Sequence, residues 1–571
     1  MCRDDLIVLK FGGSVLRDED HLRLAVHEIH RHRRVGRRVV AVVSALAGAT
    51  DALLAQSLRL SERSDPVARA TLLATGELHS AALLGLHLDR AGIPATVLAP
   101  AAIRLVAEGP ALDATPVDLD RAPVDDALAR DGIVVIPGYA ATNRAGRTVV
   151  LGRGGSDLTA LFLADRLGAT RCRLVKDVDG LYERDPATPG PVPRRYASAT
   201  WDDALHTDGS IVQHKAVRFA AAHEQAFELG AFNRTDATII GPGPTRLVDA
   251  PSPRRPLTVA LLGLGTVGWG VHELLRHLPG EFTIVGIAVR RPDEHPRRAA
   301  TIAPMTADVV GLASRGVDLV IEALGGLDPA LPAIEGALRA GAHVVTANKT
   351  LLASHGAPLR ALASSRRVAL RGSASVGGAM PLLERLGAET TRSVRSIRAV
   401  LNGTTNAVLD LVADGATIDE AIAEARRRGF TEADPTRDLA GFDAADKLRI
   451  IADTIGATLD GEIPCDRLDA DAMPDAATPA IIRQVARLTI RDGIARAAVR
   501  LEPVPDDDPL ARVREEHNVA VIEWNDGSCE ILRGRGAGRW PTAESVVADA
   551  LDCARLGSVG PRDDRREVCR A

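Results

Sequence analysis

The chain has 571 residues, 46% hydrophobic and 25% charged, with a formal net charge of −5. That length exceeds a single hydrophobic core and points to roughly three to five domains. The near-neutral charge, with aromatics at only 3%, excludes nucleic acid and anionic membrane as general partners.

The six cysteines (Cys2, Cys172, Cys465, Cys529, Cys553, Cys569) form no C-x-x-C pair. This fits a reducing, cytoplasmic setting and argues against a zinc site or a disulfide framework. The opening MCRDDLIVLK is charged and runs straight into a strand, unlike a secretory signal. No apolar run is long enough to span a bilayer.

In chain order, LIVLKF (6–11), VVAVVSA (39–45), ATVLA (95–99) and GIVVIPGY (132–139) read as strands, with HLRLAVHEIHRHRR (21–34) as a helix. Short apolar strands alternating with helices predict α/β architecture with buried, largely parallel sheets. Lys10 follows the first strand and precedes Gly12 and Gly13. Glycines there let backbone N–H groups approach phosphate oxygens, and the lysine adds a point charge. A second glycine loop, LGRGGSD (151–157), leads into the predicted helix DLTALFLADRLG, whose N-terminus favours negative charge. Neither loop is a Walker P-loop.

These loops, with SALAGATD (44–51), TGE (75–77), PGYAATNRAGRTVV (137–150), KDVDGLYERDP (176–186) and GSIVQHKA (209–216), come in one order. In that order the first half resembles the amino-acid kinase family, and within it the aspartate kinases, over about residues 5–245. The resemblance implies an α/β/α sandwich, ATP with Mg²⁺, and phosphoryl transfer to an acidic amino acid. It makes Lys10 the residue that neutralises the transferred phosphoryl group and Asp157 the organiser of the charged centre. Arg153 would bind the substrate carboxylate and Glu77 its ammonium, with Thr50 and Ser156 as hydrogen-bonding neighbours. Gly12, Gly13, Asp179 and Tyr182 would face the nucleotide. The chain departs from the family in three places. The first glycine turn is one residue shorter, Lys176 stands where Thr is usual, and Lys215 where Pro is usual.

Residues 241–256, GPGPTRLVDAPSPRRP, are rich in proline, which removes backbone donors and fixes φ. The segment 246–256 reads as a stiff linker, with a Pro-rich surface loop as the alternative. Beyond it TVALLG (258–263), TIVGIAV (283–289), DLVIEAL (318–324) and HVVTAN (343–348) read as a second set of strands. Gly263, Gly265 and Gly268 spell G-x-G-x-x-G between strand and helix, the setting a dinucleotide fingerprint requires. Thr266 and Val267 complete that turn. The second strand ends in Arg290 and Arg291 rather than an acid, which suits a 2′-phosphate and favours NADP over NAD.

Asp443 and Lys447 lie four apart on a predicted helix and share a face. Glu432, Asp434 and Asp438 crowd the preceding loop, a poor choice unless a cation is bound. With IEALGG (321–326), VVTANKTLLA (344–353), SASVGGAMPLL (373–383), LNGTTNAVL (401–409) and GRGAGRWPTAESVVADAL (534–551), residues 257–556 resemble homoserine dehydrogenase. The resemblance implies a Rossmann domain over 257–372, completed by 541–556, and an α+β catalytic and dimerisation domain over 373–540. The remaining 557–571 form a tail. By the same resemblance Lys447 is the proton donor and Lys349 lies beside both nicotinamide and substrate. Glu432 and Asp443 would hold the substrate amine, with Gly403 and Thr404 positioning its backbone atoms. A monovalent cation, Na⁺ or K⁺, would sit at carbonyls of Val376 and Gly378, although Ser373 replaces an acidic residue common there. A homodimer or higher homo-oligomer is expected. The same motifs are compatible with a weak or non-catalytic kinase-like module, or with a kinase for another acidic amino acid. Nothing between 245 and 257 is large enough for the ACT-type regulatory domains that accompany aspartate kinases.

Overall fold

The computed structural model describes residues 5–207, 209–292, 303–389, 391–429, 434–469 and 481–557. Two compact units divide the chain between Arg254 and Arg255.

The first unit is built on a nine-stranded sheet. At its centre Leu6–Phe11 pairs in parallel with Arg38–Val43 on one side and Arg171–Lys176 on the other. Ile133–Pro137 extends the parallel set beyond Arg38–Val43. The central strand is buried at all six positions, as a sheet covered on both faces demands. Its core is aliphatic, with Val8, Val40, Val134, Leu161 and Leu174 among the buried side chains. Because these strands run the same way, Phe11, Val43, Pro137 and Lys176 all end at one edge, where open α/β sheets take ligands. The helix Gly155–Leu167 begins there, with Gly154 in the left-handed region at φ 74°. A smaller four-stranded sheet carries Ala140–Thr142 and Thr148–Val150.

The expected linker begins later than the prolines suggest. Arg246–Val248 is an edge strand of the large sheet, antiparallel to Arg195–Ala199. These three residues contain no proline, so their backbone donors are available for pairing. At the other end Arg255 forks onto the Asp318 carboxylate (2.6 and 2.7 Å). Only residues 249–254 lie between these anchors.

The second unit holds two six-stranded sheets. In the first, all parallel, the third, second, first, fourth, fifth and sixth strands in chain order lie side by side, from Met305–Thr306 to Leu370–Arg371. This is the doubly wound dinucleotide-binding order. The second sheet is mainly antiparallel, with Val394–Val400 between Ile481–Arg491 and His517–Trp524. The helix Arg539–Leu556 packs on Thr266–Leu275, the helix after the glycine-rich turn. No described helix is long and apolar enough to cross a membrane.

Candidate functional site

The first unit gathers its chemistry at the strand ends. Lys10 is buried on the central strand, and its Nζ lies 2.6 Å from Asp157 Oδ1. Asp157 belongs to the first turn of Gly155–Leu167, where the helix dipole favours an anion. Burial works against its charge, yet Lys10 and Lys176 hold the Asp157 carboxyl at about 2. Burial pulls the Lys10 ammonium down to about 8, with Lys176 adding to the fall and Asp157 opposing it. After Lys10 the chain turns at once, Val15 N and Leu16 N both donating to Gly12 O. A Cβ on Gly12 would come within 3.0 Å of Lys10 Nζ, whereas one on Gly13 would meet only ordinary contacts.

Glu77 sits on the long helix Pro66–Arg90 with its side chain buried and its Oε2 without a hydrogen-bond partner. Burial pushes its carboxyl up to about 7. A buried orphan acceptor is uncommon in a native fold and calls for an explanation. Thr50 lies half-buried in the first turn of Ala49–Leu60. Ser156 is buried beside Asp157, so close to Gly138 that a Cβ there would fall 2.7 Å from its own Cβ. Arg153 is exposed between Gly152 and Gly154, both at positive φ. Among the described residues it makes no ion pair. Tyr182 Oη donates to Asp179 Oδ1 (2.7 Å), so the two nucleotide-loop candidates bind each other.

The three departures from the kinase pattern have structural counterparts. The shortened glycine turn closes on Gly12 O, as above. Lys215 donates to Asp113 Oδ1 (2.7 Å), Ala114 O (2.9 Å) and Leu151 O (3.0 Å), tying the second glycine loop to the neighbouring segment. Lys176 Nζ reaches both Asp157 oxygens, at 3.3 and 3.0 Å. Sequence reasoning gave Lys176 no role in the site.

In the second unit the glycine-rich turn meets what a pyrophosphate site requires. Gly263 has φ 97°, and a Cβ on it would fall 2.7 Å from Ala323 O. On Gly268 it would fall 2.1 Å from Gly263 O, so this glycine lets helix and turn touch. Gly265 differs: a Cβ there would meet nothing within 4 Å. Packing therefore does not demand glycine at 265, and the open space lies at the N-terminus of Thr266–Leu275, which no side chain caps. Thr266 and Val267 form the first turn of that helix, whose free N–H groups suit an anion. Arg290 is exposed just past the strand Phe282–Ala288.

Lys349 opens the helix Lys349–Ser365, capped by Asn348, whose side chain accepts from Leu351 N and donates to Gly326 O. Its Nζ donates to Asp443 Oδ1. Lys447 Nζ lies 2.8 Å from Asp443 Oδ2 and also donates to Leu401 O. The two ammonium groups therefore meet across one carboxylate. Asp443 is buried on the first turn of Phe442–Thr454; burial opposes its charge, but Lys447 and Lys349 hold its carboxyl far below the ordinary range.

Asn402, absent from the sequence-based candidates, completes the cluster. Its Nδ2 donates to Asp438 Oδ1 (2.8 Å) and Asp443 Oδ2 (2.9 Å), while its Oδ1 caps Gly403–Ala413 through Thr405 N. Gly403 and Thr404 form the first turn of that helix. Burial, then the charge of Asp443, raises the Asp438 carboxyl. Glu432 lies outside the described residues. Val376 and Gly378 occupy the turn after Ser373–Ser375, where the buried carboxylate is Asp549, accepting from Ser373 N (3.0 Å) and Oγ (2.9 Å). No group of three or more His, Cys, Asp or Glu able to hold a metal ion occurs among the described residues.

Comparison with known proteins agrees with this division. Residues 5–226 match the amino acid kinase family, 263–371 the NAD-binding domain of homoserine dehydrogenase, and 381–551 homoserine dehydrogenase itself. Homoserine dehydrogenase of Mycobacterium tuberculosis is 35% identical over 342 residues, covering 55% of this chain and 77% of that protein. The Corynebacterium glutamicum enzyme is 34% identical over 319 residues, covering 52% and 72%. A solved homoserine dehydrogenase structure from Thiobacillus denitrificans is 30% identical and covers 53% of this chain and 74% of its own, with a TM-score of 0.48. The chain belongs to the homoserine dehydrogenase family and carries, fused ahead of that enzyme and its NAD-binding domain, a domain of the amino acid kinase family.

Proposed function

We propose that the chain joins two enzymes of one amino-acid biosynthetic route. The first phosphorylates L-aspartate with ATP to give 4-phospho-L-aspartate. The second interconverts L-aspartate 4-semialdehyde and L-homoserine with NAD(P)H. The observation that carries the reading is that each unit gathers two lysines on one buried carboxylate: Lys10 and Lys176 on Asp157, and Lys349 and Lys447 on Asp443.

In the kinase, the side-chain carboxylate of aspartate attacks the terminal phosphoryl group and ADP leaves. Such transfer depends on positioning and charge neutralisation. Lys10, held by Asp157, neutralises the transferred group, and Mg²⁺ arrives with the ATP phosphates. The orphan Glu77 oxygen is the acceptor for the substrate ammonium. Arg153 presents a planar fork to the α-carboxylate, with Thr50 and Ser156 as neighbours. The Gly12–Gly13 turn, Asp179 and Tyr182 face the nucleotide.

In the dehydrogenase, the nicotinamide supplies or accepts the hydride when bound. Gly263, Gly265 and Gly268 admit its pyrophosphate, and Arg290 favours the 2′-phosphate of NADP. Lys447 gives a proton to the aldehyde oxygen as homoserine forms and takes it back in the reverse direction. Lys349 would lie close to both nicotinamide and substrate. Asp443 fixes both lysines, and an ionised carboxylate has about four acceptor sites, leaving room for the substrate amine alongside Glu432. Gly403 and Thr404 position the substrate backbone, and carbonyls of Val376 and Gly378 would hold a monovalent cation. The acyl phosphate made by the first enzyme is not the aldehyde used by the second, so a separate reductase acts between them. A cytoplasmic homo-oligomer assembled through the dehydrogenase half completes the reading.

Substrate profiling of the intact chain tests it. ADP release should depend on aspartate and exceed that with glutamate by at least tenfold, and NADP⁺ reduction should depend on homoserine. Preference for glutamate would transfer the kinase to another substrate. ADP release with neither would leave the first half a binding module.

A further inference from the structure

Lys176 ends the strand Arg171–Lys176, next to the strand that carries Lys10; Leu174 lies opposite Lys10 and Val175 opposite Phe11. Its ammonium lies 3.0 Å from Asp157 Oδ2, while that of Lys10 lies 2.6 Å from Asp157 Oδ1. The two lysine side chains are only 11% and 6% exposed. One lysine would already neutralise the Asp157 carboxylate, and Glu77, the other acid whose charge reaches Lys10, is neutral below about pH 7. The second brings a desolvation cost and repulsion between like charges, and that repulsion is felt at Lys10. A surplus positive charge in such a place is a poor structural choice unless an anion completes the site. The surplus faces the N-terminus of Gly155–Leu167, a third source of positive potential.

We propose that Lys176 is a second phosphate-binding residue of the kinase site, and that with Lys10 it forms a two-pronged ammonium clamp on the terminal phosphoryl group of ATP, both prongs steadied by Asp157. The proposal rests on the kinase reading above and gives a residue, until now only a departure from the family pattern, a place in the reaction. The charge on a transferring phosphoryl group is spread over three equatorial oxygens, so two ammonium groups neutralise it better than one. No bond is made to either lysine: the O–P bond to ADP breaks, the O–P bond to the acceptor forms, and both lysines keep their protons.

The test uses the full chain with Lys176→Met and Lys176→Arg, and homoserine oxidation by the second half as the check on folding. Binding of Mg²⁺ with the non-hydrolysable analogue AMP-PNP, and of Mg²⁺ with ADP, is measured calorimetrically beside aspartate-dependent turnover. Lys176→Met should weaken AMP-PNP at least tenfold and ADP less than threefold. Turnover should fall at least a hundredfold, mostly in kcat, and Lys176→Arg should recover much of the AMP-PNP affinity. Equal loss for both nucleotides, unchanged AMP-PNP affinity, or identical behaviour of Met and Arg would overturn the proposal. If the chain phosphorylates no aspartate yet binds AMP-PNP in this Lys176-dependent way, the clamp stands and the aspartate reading falls. If it binds neither nucleotide, the clamp falls.

Discussion

At Glu77 and Lys10 the same cause, burial, moves two opposite charges toward neutrality, and the result is a prediction about pH. The Glu77 carboxyl is raised to about 7, so it is neutral below that pH and charged above it. The Lys10 ammonium is lowered to about 8, so it is charged below that pH and neutral above it. Both charges coexist only in a narrow window, and kcat/KM for aspartate phosphorylation should trace a bell between these values, since that ratio reports the free enzyme. Glu77→Gln should remove the acid limb and raise the KM for aspartate at least tenfold; a pH-rate profile of the variant with its acid limb intact would refute the role. In the other unit, Lys447→Ala should lower kcat for homoserine oxidation about 10²- to 10⁴-fold, the usual weight of a positioned proton donor. Stopped-flow or steady-state NADPH formation checks it, and a variant turning over within threefold of the parent would exclude the role.

At the scale of the element, the glycine-rich turn separates packing from binding. Gly268→Ala places a methyl against Gly263 O, a backbone atom that cannot step aside, so thermal stability should fall by several degrees. Gly265→Ala meets open space and should leave the melting temperature within about two degrees, a surface-like effect, while raising the KM for NADPH at least tenfold. Equal NADPH affinity in Gly265→Ala would mean that the open space is not the cofactor's. These turns were legible in the sequence because their chemistry is local: strand, glycines and helix follow one another within about a dozen residues. The Asp443–Lys447 pair was legible for the same reason, four residues being one helical step. Asn402 was not, because its contacts with Asp438 and Asp443 exist only once the helices Gly403–Ala413, Thr436–Leu439 and Phe442–Thr454 have docked. Lys176 was seen as a misfit and nothing more, since its distance to Asp157 is set by the sheet and the helix beneath it. The strand Arg246–Val248 was hidden among prolines, its partner Arg195–Ala199 lying far back along the chain.

On the scale of the whole molecule, the sheet of the first unit closes at Val248 and the first strand of the second begins at Leu257. No regulatory domain fits between them. Kinase turnover should therefore hold to within a factor of two in millimolar threonine or lysine, and strong inhibition by either would reveal an effector site elsewhere in the chain. The central claim is that one polypeptide carries two separate chemistries, each resting on its own lysine–carboxylate centre. The most direct measurement is aspartate-dependent ADP release by the intact chain and by its Lys10→Met variant, with homoserine oxidation followed in the same preparations. The account predicts turnover in the parent, loss of at least a hundredfold in the variant, and homoserine oxidation unchanged in both. Absence of aspartate-dependent ADP release from the parent, or its persistence in Lys10→Met, would contradict it.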